Sequence, residues 1–268
     1  MKIGFIGTGN MATGIISGLK KDTEIEKSIF VYNHHSEKTE AYAAKMDVTG
    51  VASSQALVEE SDIVVLAVKP VGFPNVVAEI CMAVQAKKIP VISIAAGITT
   101  AWLSEQFGAE VPAIRVMPNM NAVIGESMSG IAANDATSEA QLQQAEAIFQ
   151  TVGAVERVSE EEFSIFTAIA GSAPAFAFLY MDSIARGAVK AGMNKQKALR
   201  IAAQTVLGSA KMILESEEEP WPLIDKVCSP GGTTIAGVDA LLDNSFVPTV
   251  MKSVAATIKR DKEMEQDQ

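Results

Sequence analysis

Cysteine, histidine and basic residues are all scarce in this chain of 268 residues. Its two cysteines, Cys81 and Cys228, have neither zinc nor redox spacing, which excludes a thiolate metal site or dithiol chemistry and fits a reducing cytoplasm. Its two histidines, His34 and His35, are adjacent and have no recognisable carboxylate or cysteine partner in a metal-ligand spacing, so they make a poor metal site. No Ser-His-Asp set and no paired carboxylates stand out, and no metal is expected. Lys and Arg number 22 against 32 Asp and Glu, a net charge of −10. That balance argues against nucleic acid and anionic membrane surfaces, both of which need a basic face. Long apolar runs are also missing. The uncharged stretch Ala168–Met181 contains Gly171 and Pro174 and is too short to span a bilayer. An N-terminal signal is not expected either, because Gly7-Thr8-Gly9-Asn10 interrupts the first apolar run and no small-residue cleavage site follows. A soluble, cytoplasmic protein acting on a small molecule is the expectation.

What is present has globular composition, 48% hydrophobic and 20% charged. Up to about Ser159, short Ile- and Val-rich runs alternate with helical segments. Ile3–Ile6, Ile29–Tyr32, Ile63–Val68, Val91–Ile94 and Ile114–Met117 read as strands buried on both faces of a parallel sheet. Gly130–Ala132 and Ala154–Val158 can extend that sheet around a helix near Glu139–Thr151. After Glu160 only helical patterns remain: 173–191, 195–215, 222–227, 233–242 and 248–262. The fold class is therefore α/β, a Rossmann-type doubly wound sheet over residues 1–160 followed by an all-α domain over 161–268. Ala173–Ala191 is apolar nearly all round before Asp182, so it must be enclosed, and a homodimer is the expected minimal unit.

Gly7-Thr8-Gly9-Asn10-Met11-Ala12 follows the first strand and opens a helix in the G-x-G-x-x-A form. The first glycine permits a tight turn, the second lets a pyrophosphate approach the backbone, and the alanine lets helix pack on sheet. This predicts a dinucleotide site including Ile6 and the six loop residues. An NAD enzyme usually carries an acidic residue at the end of the second strand, about 20 residues past the loop. Here the chain reads Tyr32-Asn33-His34-His35-Ser36 instead. Asn33, His34 and Ser36 offer hydrogen bonds and no repelling charge to a 2′-phosphate, which points to NADPH, with NADH also usable.

Three further motifs carry a resemblance: Ala67-Val68-Lys69-Pro70, Ala95-Ala96-Gly97 and Val227-Cys228-Ser229-Pro230-Gly231-Gly232-Thr233-Thr234. With them the chain resembles the pyrroline-5-carboxylate reductase family over essentially its whole length. The resemblance implies reduction of the ring C=N of 1-pyrroline-5-carboxylate to L-proline, the last step of proline biosynthesis, by a Rossmann domain joined to a helical dimerisation domain. It also implies cofactor contacts at Ser54, Ala67, Val68, Lys69, Pro70, Ala95, Ala96 and Gly97. Substrate contacts are implied at Glu217, Gly231, Gly232, Thr233 and Thr234, with Thr234 bonding the ring nitrogen. The chain departs from the family pattern at Met120, Asn121 and Ala173, at Ser54 where asparagine is frequent, and at His34 where arginine is. A related imine or hydroxyacid oxidoreductase and a non-catalytic relative are the alternatives. Against the hydroxyacid type, residues 171–191 carry lysine only at Lys190, near the far end.

Overall fold

The computed structural model describes residues 1–266. Eight strands form one sheet: β1 (Lys2–Ile6), β2 (Ser28–Tyr32), β3 (Thr49–Gly50), β4 (Ile63–Leu66), β5 (Val91–Ser93), β6 (Ala113–Met117), β7 (Ser127–Ala133) and β8 (Gly153–Arg157). Their order is β3-β2-β1-β4-β5-β6-β7-β8. The first six pair in parallel, in the doubly wound order, with β1 at the point where the chain reverses direction across the sheet. β7 then runs antiparallel to β6 and parallel to β8.

Alternation along each strand divides the apolar side chains into two cores. Ile3, Phe5, Val65, Ile92, Ile114 and Val116 meet one layer, formed by helices α1 (Asn10–Lys21) and α6 (Glu139–Gln150). Ile6, Val64, Leu66, Val91 and Ala113 meet the opposite layer. That layer contains α3 (Ser54–Glu60), α4 (Phe73–Lys87) and α5 (Thr100–Phe107). Helix α2 (Ser36–Met46) follows β2 and buries Ala43 in the first core. Burial on both faces is why the strands read as continuous apolar runs.

The first compact unit comprises residues 1–172 together with 257–268, and the second comprises 173–256. The first therefore runs past the change of pattern at Ser159–Glu162. It takes in α7 (Phe163–Phe166) and a π-helical turn, Thr167–Ser172. Ala168–Met181, too short by itself to span a bilayer, belongs to a longer helical run of 31 residues, Glu160–Lys190. That run meets the length and composition of a bilayer-crossing helix, a test that core helices also pass. Pro174 does not interrupt it, because the widened π turn lies just ahead of the residue that cannot donate.

In the second unit, α8 (Ala173–Lys190) and α9 (Lys195–Glu215) pack side by side. α10 (Pro220–Val227), α11 (Thr233–Asp243) and α12 (Phe246–Gln266) follow, the end of α12 counting with the first unit. Among its described residues this unit fully buries only Ala185, Ala198 and Ala202. Phe178, Leu179, Leu207, Met212, Leu241 and Met251 stay exposed, so one copy has almost no core there.

Arg115 on β6 is only 2% exposed. Its guanidinium pairs at 2.8 Å with Glu160 and at 2.8 Å with Glu265, and lies 3.9 Å from the centre of the Phe163 ring. Asp261 is buried nearby, with one carboxylate oxygen lacking a hydrogen-bond partner among the described residues. Burial, helped by the Glu265 charge, pushes the Asp261 carboxyl above its ordinary value, against the Ser164 hydrogen bond and the Arg115 charge. The neutral acid suits the folded state. Its stabilisation is fully present below the unfolded value of about 3.9, and is lost as pH rises through the raised folded value. Asp261→Asn is therefore expected to raise the urea midpoint at pH 7, with the gain shrinking towards pH 4. A variant less stable than wild type at pH 7 refutes this.

Candidate active site

The turn after β1 is built so that only glycine fits at its first position. Gly7 has φ +102°, and a Cβ there would lie 2.5 Å from the Ala67 carbonyl oxygen. Its N–H donates to the Tyr32 carbonyl at 2.9 Å, tying the ends of β1 and β2 together. Gly9 is the N-cap of α1, and a Cβ on it would meet nothing within 4 Å. Glycine at this second position is thus not demanded by the protein's own packing. Ala12, 1% exposed, sits where the helix meets the sheet.

Helices α3, α5, α6 and α9 begin with Ser53, Thr99, Ser138 and Asn194, each accepting a hydrogen bond from the first turn. Helices α1, α2 and α4 have no side-chain cap. At α1 the uncapped N–H groups of Asn10, Met11 and Ala12 lie beside the open space at Gly9. This suits a pyrophosphate, so the residues present fit a dinucleotide.

A cleft of about 460 Å³ adjoins this turn, with Ile6, Gly7, Tyr32, Val68 and Val76 on its walls. Asn33 and His34 line it and also a second cleft, shared with Ser36 and Glu40. The Asn33 amide is engaged in the turn: it donates to Thr8 Oγ1 at 2.8 Å and accepts from the His35 N–H at 3.2 Å. His34 and Ser36 are exposed. Two carboxylates that the sequence did not suggest also face these clefts, Glu40 on α2 and Glu79 on α4. Glu40 lies four residues after Ser36, one turn along the same helix face, and that spacing is a signal that could have found it. Ser54 is buried and is not on the cleft wall; its hydroxyl donates to Glu79 Oε2 at 2.6 Å.

The loops after β4 and β5 hold the remaining cofactor candidates. Lys69 is exposed and precedes a short 3₁₀ turn, Pro70–Gly72. Ala67, Val68, Pro70 and Ala96 are half-buried, Ala95 is buried, and Gly97 has φ +81°. Asn119, after β6, was not among the sequence candidates. It is buried, donates to the Ala170 carbonyl at 3.1 Å and accepts from the Asn121 N–H at 3.0 Å, fixing this loop against the π turn.

The motif from Val227 to Thr234 lies in the second unit. Gly231 has φ +69°, and the Gly232 N–H closes a turn on the Ser229 carbonyl at 2.9 Å. A Cβ at Gly232 would meet Ser229 Oγ at 2.3 Å. Gly232 is the N-cap of α11, and no side chain caps the helix. Thr233 and Thr234 are thus the first helical residues and do not cap it, and neither hydroxyl has a partner among the described residues. Thr234 is half-buried, whereas Glu217 is exposed in the segment before α10. Uncapped N–H groups beside two free hydroxyls form a second anion-accepting helix start.

A family model for pyrroline-5-carboxylate reductase dimerisation matches residues 160–264. One described as NADP oxidoreductase, coenzyme F420-dependent, matches residues 2–97. Pyrroline-5-carboxylate reductase 1 of Bacillus subtilis is 36% identical over 268 residues, covering 99% of this chain and 90% of the relative. A solved pyrroline-5-carboxylate reductase from Coxiella burnetii superposes with a TM-score of 0.92 at 34% identity, covering 98% of this chain and 97% of the other. The Plasmodium falciparum pyrroline carboxylate reductase with NADP bound gives 0.87 at 30% identity, covering 99% and 98%. With such identity over nearly the full length of both chains, this chain belongs to the pyrroline-5-carboxylate reductase family.

Proposed function

We propose that this chain reduces 1-pyrroline-5-carboxylate to L-proline with a reduced nicotinamide dinucleotide, preferably NADPH, as a cytoplasmic homodimer. The observation that carries this reading is that α1 and α11 each start with glycine at the N-cap and no side-chain cap, each beside groups suited to an anionic ligand. The α1 start suits a pyrophosphate and the α11 start a substrate carboxylate. When bound, the cofactor supplies the hydride that imine reduction needs. The protein's own part is then positioning and electrostatics. Gly231, Gly232 and Thr233 receive the carboxylate, and the Thr234 hydroxyl hydrogen-bonds the ring nitrogen. Glu217 adds a negative charge suited to an iminium. A cyclic imine can arrive already protonated, so no strong acid is required. Domains of 1–160 for the nucleotide and 161–268 for substrate and dimerisation follow from the same reading.

The homodimer is supported by the second unit's near lack of a core. Helices that bury three alanines and expose phenylalanine, leucine and methionine need a second apolar surface. An interface above roughly 2,000 Å² is expected of an obligate dimer. Light scattering that finds an active monomer at micromolar concentration overturns it.

Thr234→Ala tests the chemistry. Loss of one hydrogen bond to a charged group should cost about 1.5–3 kcal/mol, or roughly ten- to a hundredfold in kcat/KM with pyrroline-5-carboxylate. Cofactor Kd should be unchanged. A variant that keeps its turnover and loses only cofactor affinity refutes the assignment.

Gly9→Ala tests the phosphate seat. Since the added methyl meets no protein atom within 4 Å, the cofactor-free variant should melt as wild type does. Its dinucleotide Kd should rise at least about tenfold, because the methyl stands where the pyrophosphate approaches. Unchanged affinity in calorimetry would remove the α1 turn from the cofactor site.

Cofactor choice rests on His34 and Ser36, with Asn33 holding their turn. Glu40 opposes the added phosphate, so a moderate preference for NADPH is expected. Asn33→Asp adds a charge whose repulsion is about 4 kcal/mol at 4 Å and an effective dielectric of 20. It should shift both the Kd ratio and the kcat/KM ratio towards NADH. Wild type favouring NADH, or ratios that do not move, would sink this preference.

A further inference from the structure

We infer that Glu79 reads the base of the dinucleotide, accepting a hydrogen bond from the 6-amino group of adenine and turning away 6-oxopurines. This rests on the dinucleotide reading proposed above and adds to it a residue for base selection.

The cleft beside the glycine turn has the chemistry of a slot for a flat base. Ile6, Val68 and Val76 give it apolar walls, and Tyr32 adds an aromatic one. Its polar groups come from two elements. Asn33 and His34 stand on the turn after β2, where a ribose belongs, while Asn75 and Glu79 stand on α4. Asn75 and Glu79 are four residues apart, on one face of that helix. An ordinary exposed glutamate on a helix samples many rotamers, but this one is held. Buried Ser54, at the start of α3, donates to Oε2 at 2.6 Å, which restrains the carboxylate of this cleft-lining residue and leaves Oε1 as its other acceptor. The charge is felt inside the cleft: burial first, then Glu79, pushes the Tyr32 phenol above its ordinary value.

A carboxylate is an acceptor only. Adenine offers it the 6-amino N–H and, beside that, the N1 lone pair, which the Asn75 amide can serve as a donor. Hypoxanthine inverts both groups, bringing a 6-oxo lone pair against the carboxylate and an N–H at N1. Attraction for one base and repulsion for the other is how a specificity residue works. Ser54 acts as the positioning residue, through Glu79. If the Ser54–Glu79 bond served only to pack α3 against α4, its removal would change stability and leave base preference alone.

Calorimetric Kd values for NADP⁺ and for nicotinamide hypoxanthine dinucleotide phosphate provide the test, with kcat/KM for the two reduced forms as a second readout. Wild type should favour the adenine form at least about tenfold, the effect of one charge-assisted hydrogen bond. Glu79→Gln, whose amide can donate as well as accept, should bring the ratio close to one, mainly by tightening the hypoxanthine form. Ser54→Ala should give an intermediate ratio. A wild-type ratio near one, or a Glu79→Gln variant that keeps the wild-type ratio, overturns the inference while leaving the dinucleotide site intact. If neither dinucleotide binds wild type, the dinucleotide reading itself fails and the inference falls with it.

Discussion

A guanidinium taken out of water must be answered by fixed negative charge, and the buried Arg115 imposes that demand on the whole first unit. One partner, Glu160, comes from the turn after β8 and the other, Glu265, from near the end of α12. Glu160 does a second job, accepting from the Thr100 N–H at 2.7 Å and so steadying the start of α5. Phe163 covers the guanidinium with its ring face. One strand residue thereby fixes the turn that leaves the sheet, a helix of the second layer and the C-terminal part of α12. Arginine suits this role because its planar fork can serve two carboxylates at once, which a lysine point charge cannot do as well.

Helix starts divide the molecule by task. Where a serine, threonine or asparagine caps, the first-turn N–H groups are satisfied within the protein and the helix start is structural. Where glycine stands at the N-cap of α1 and α11 those groups stay available, whereas the glycine that starts α4 continues a 3₁₀ turn and the Phe73 N–H is bonded to the Pro70 carbonyl. The same backbone feature can therefore serve both a phosphate and a carboxylate, and what distinguishes the two sites is what lies beside each helix. Near α1 there is a cleft with apolar walls. At α11 there are the Thr233 and Thr234 hydroxyls, without partners among the described residues.

Much of this was legible in the residues. The strands Ile3–Ile6, Ile29–Tyr32 and Ile114–Met117 agree with the structure to within a residue, because burial on both faces leaves a continuous apolar signal. The glycine turn was legible too, since its demands are local. β3, with two residues, is too short to show a period, and α3 is brief, with Leu57 and Val58 as its buried apolar residues. Glu79 gives no local signal, since the hydroxyl bonded to it, on Ser54, lies 25 positions away and the cleft it lines is assembled from separate elements. The Arg115–Glu265 pair spans 150 positions, and no local pattern can announce such a contact.

The division of the chain, with residues 257–268 returned to the first unit, has a consequence for how the protein is made. Domains commonly fold as they emerge from the ribosome, N-terminal part first. Here the sheet can assemble early, but Arg115 has only half of its counter-charge until Glu265 has been translated. During that interval the nucleotide-binding unit is unfinished, with a charged side chain waiting in its interior. The helices of the second unit emerge meanwhile, with scarcely any core of their own. Completion of the first unit is thus tied to a segment synthesised after the whole of the second, so a ribosome that stalls before residue 265 releases a chain in which neither half is finished.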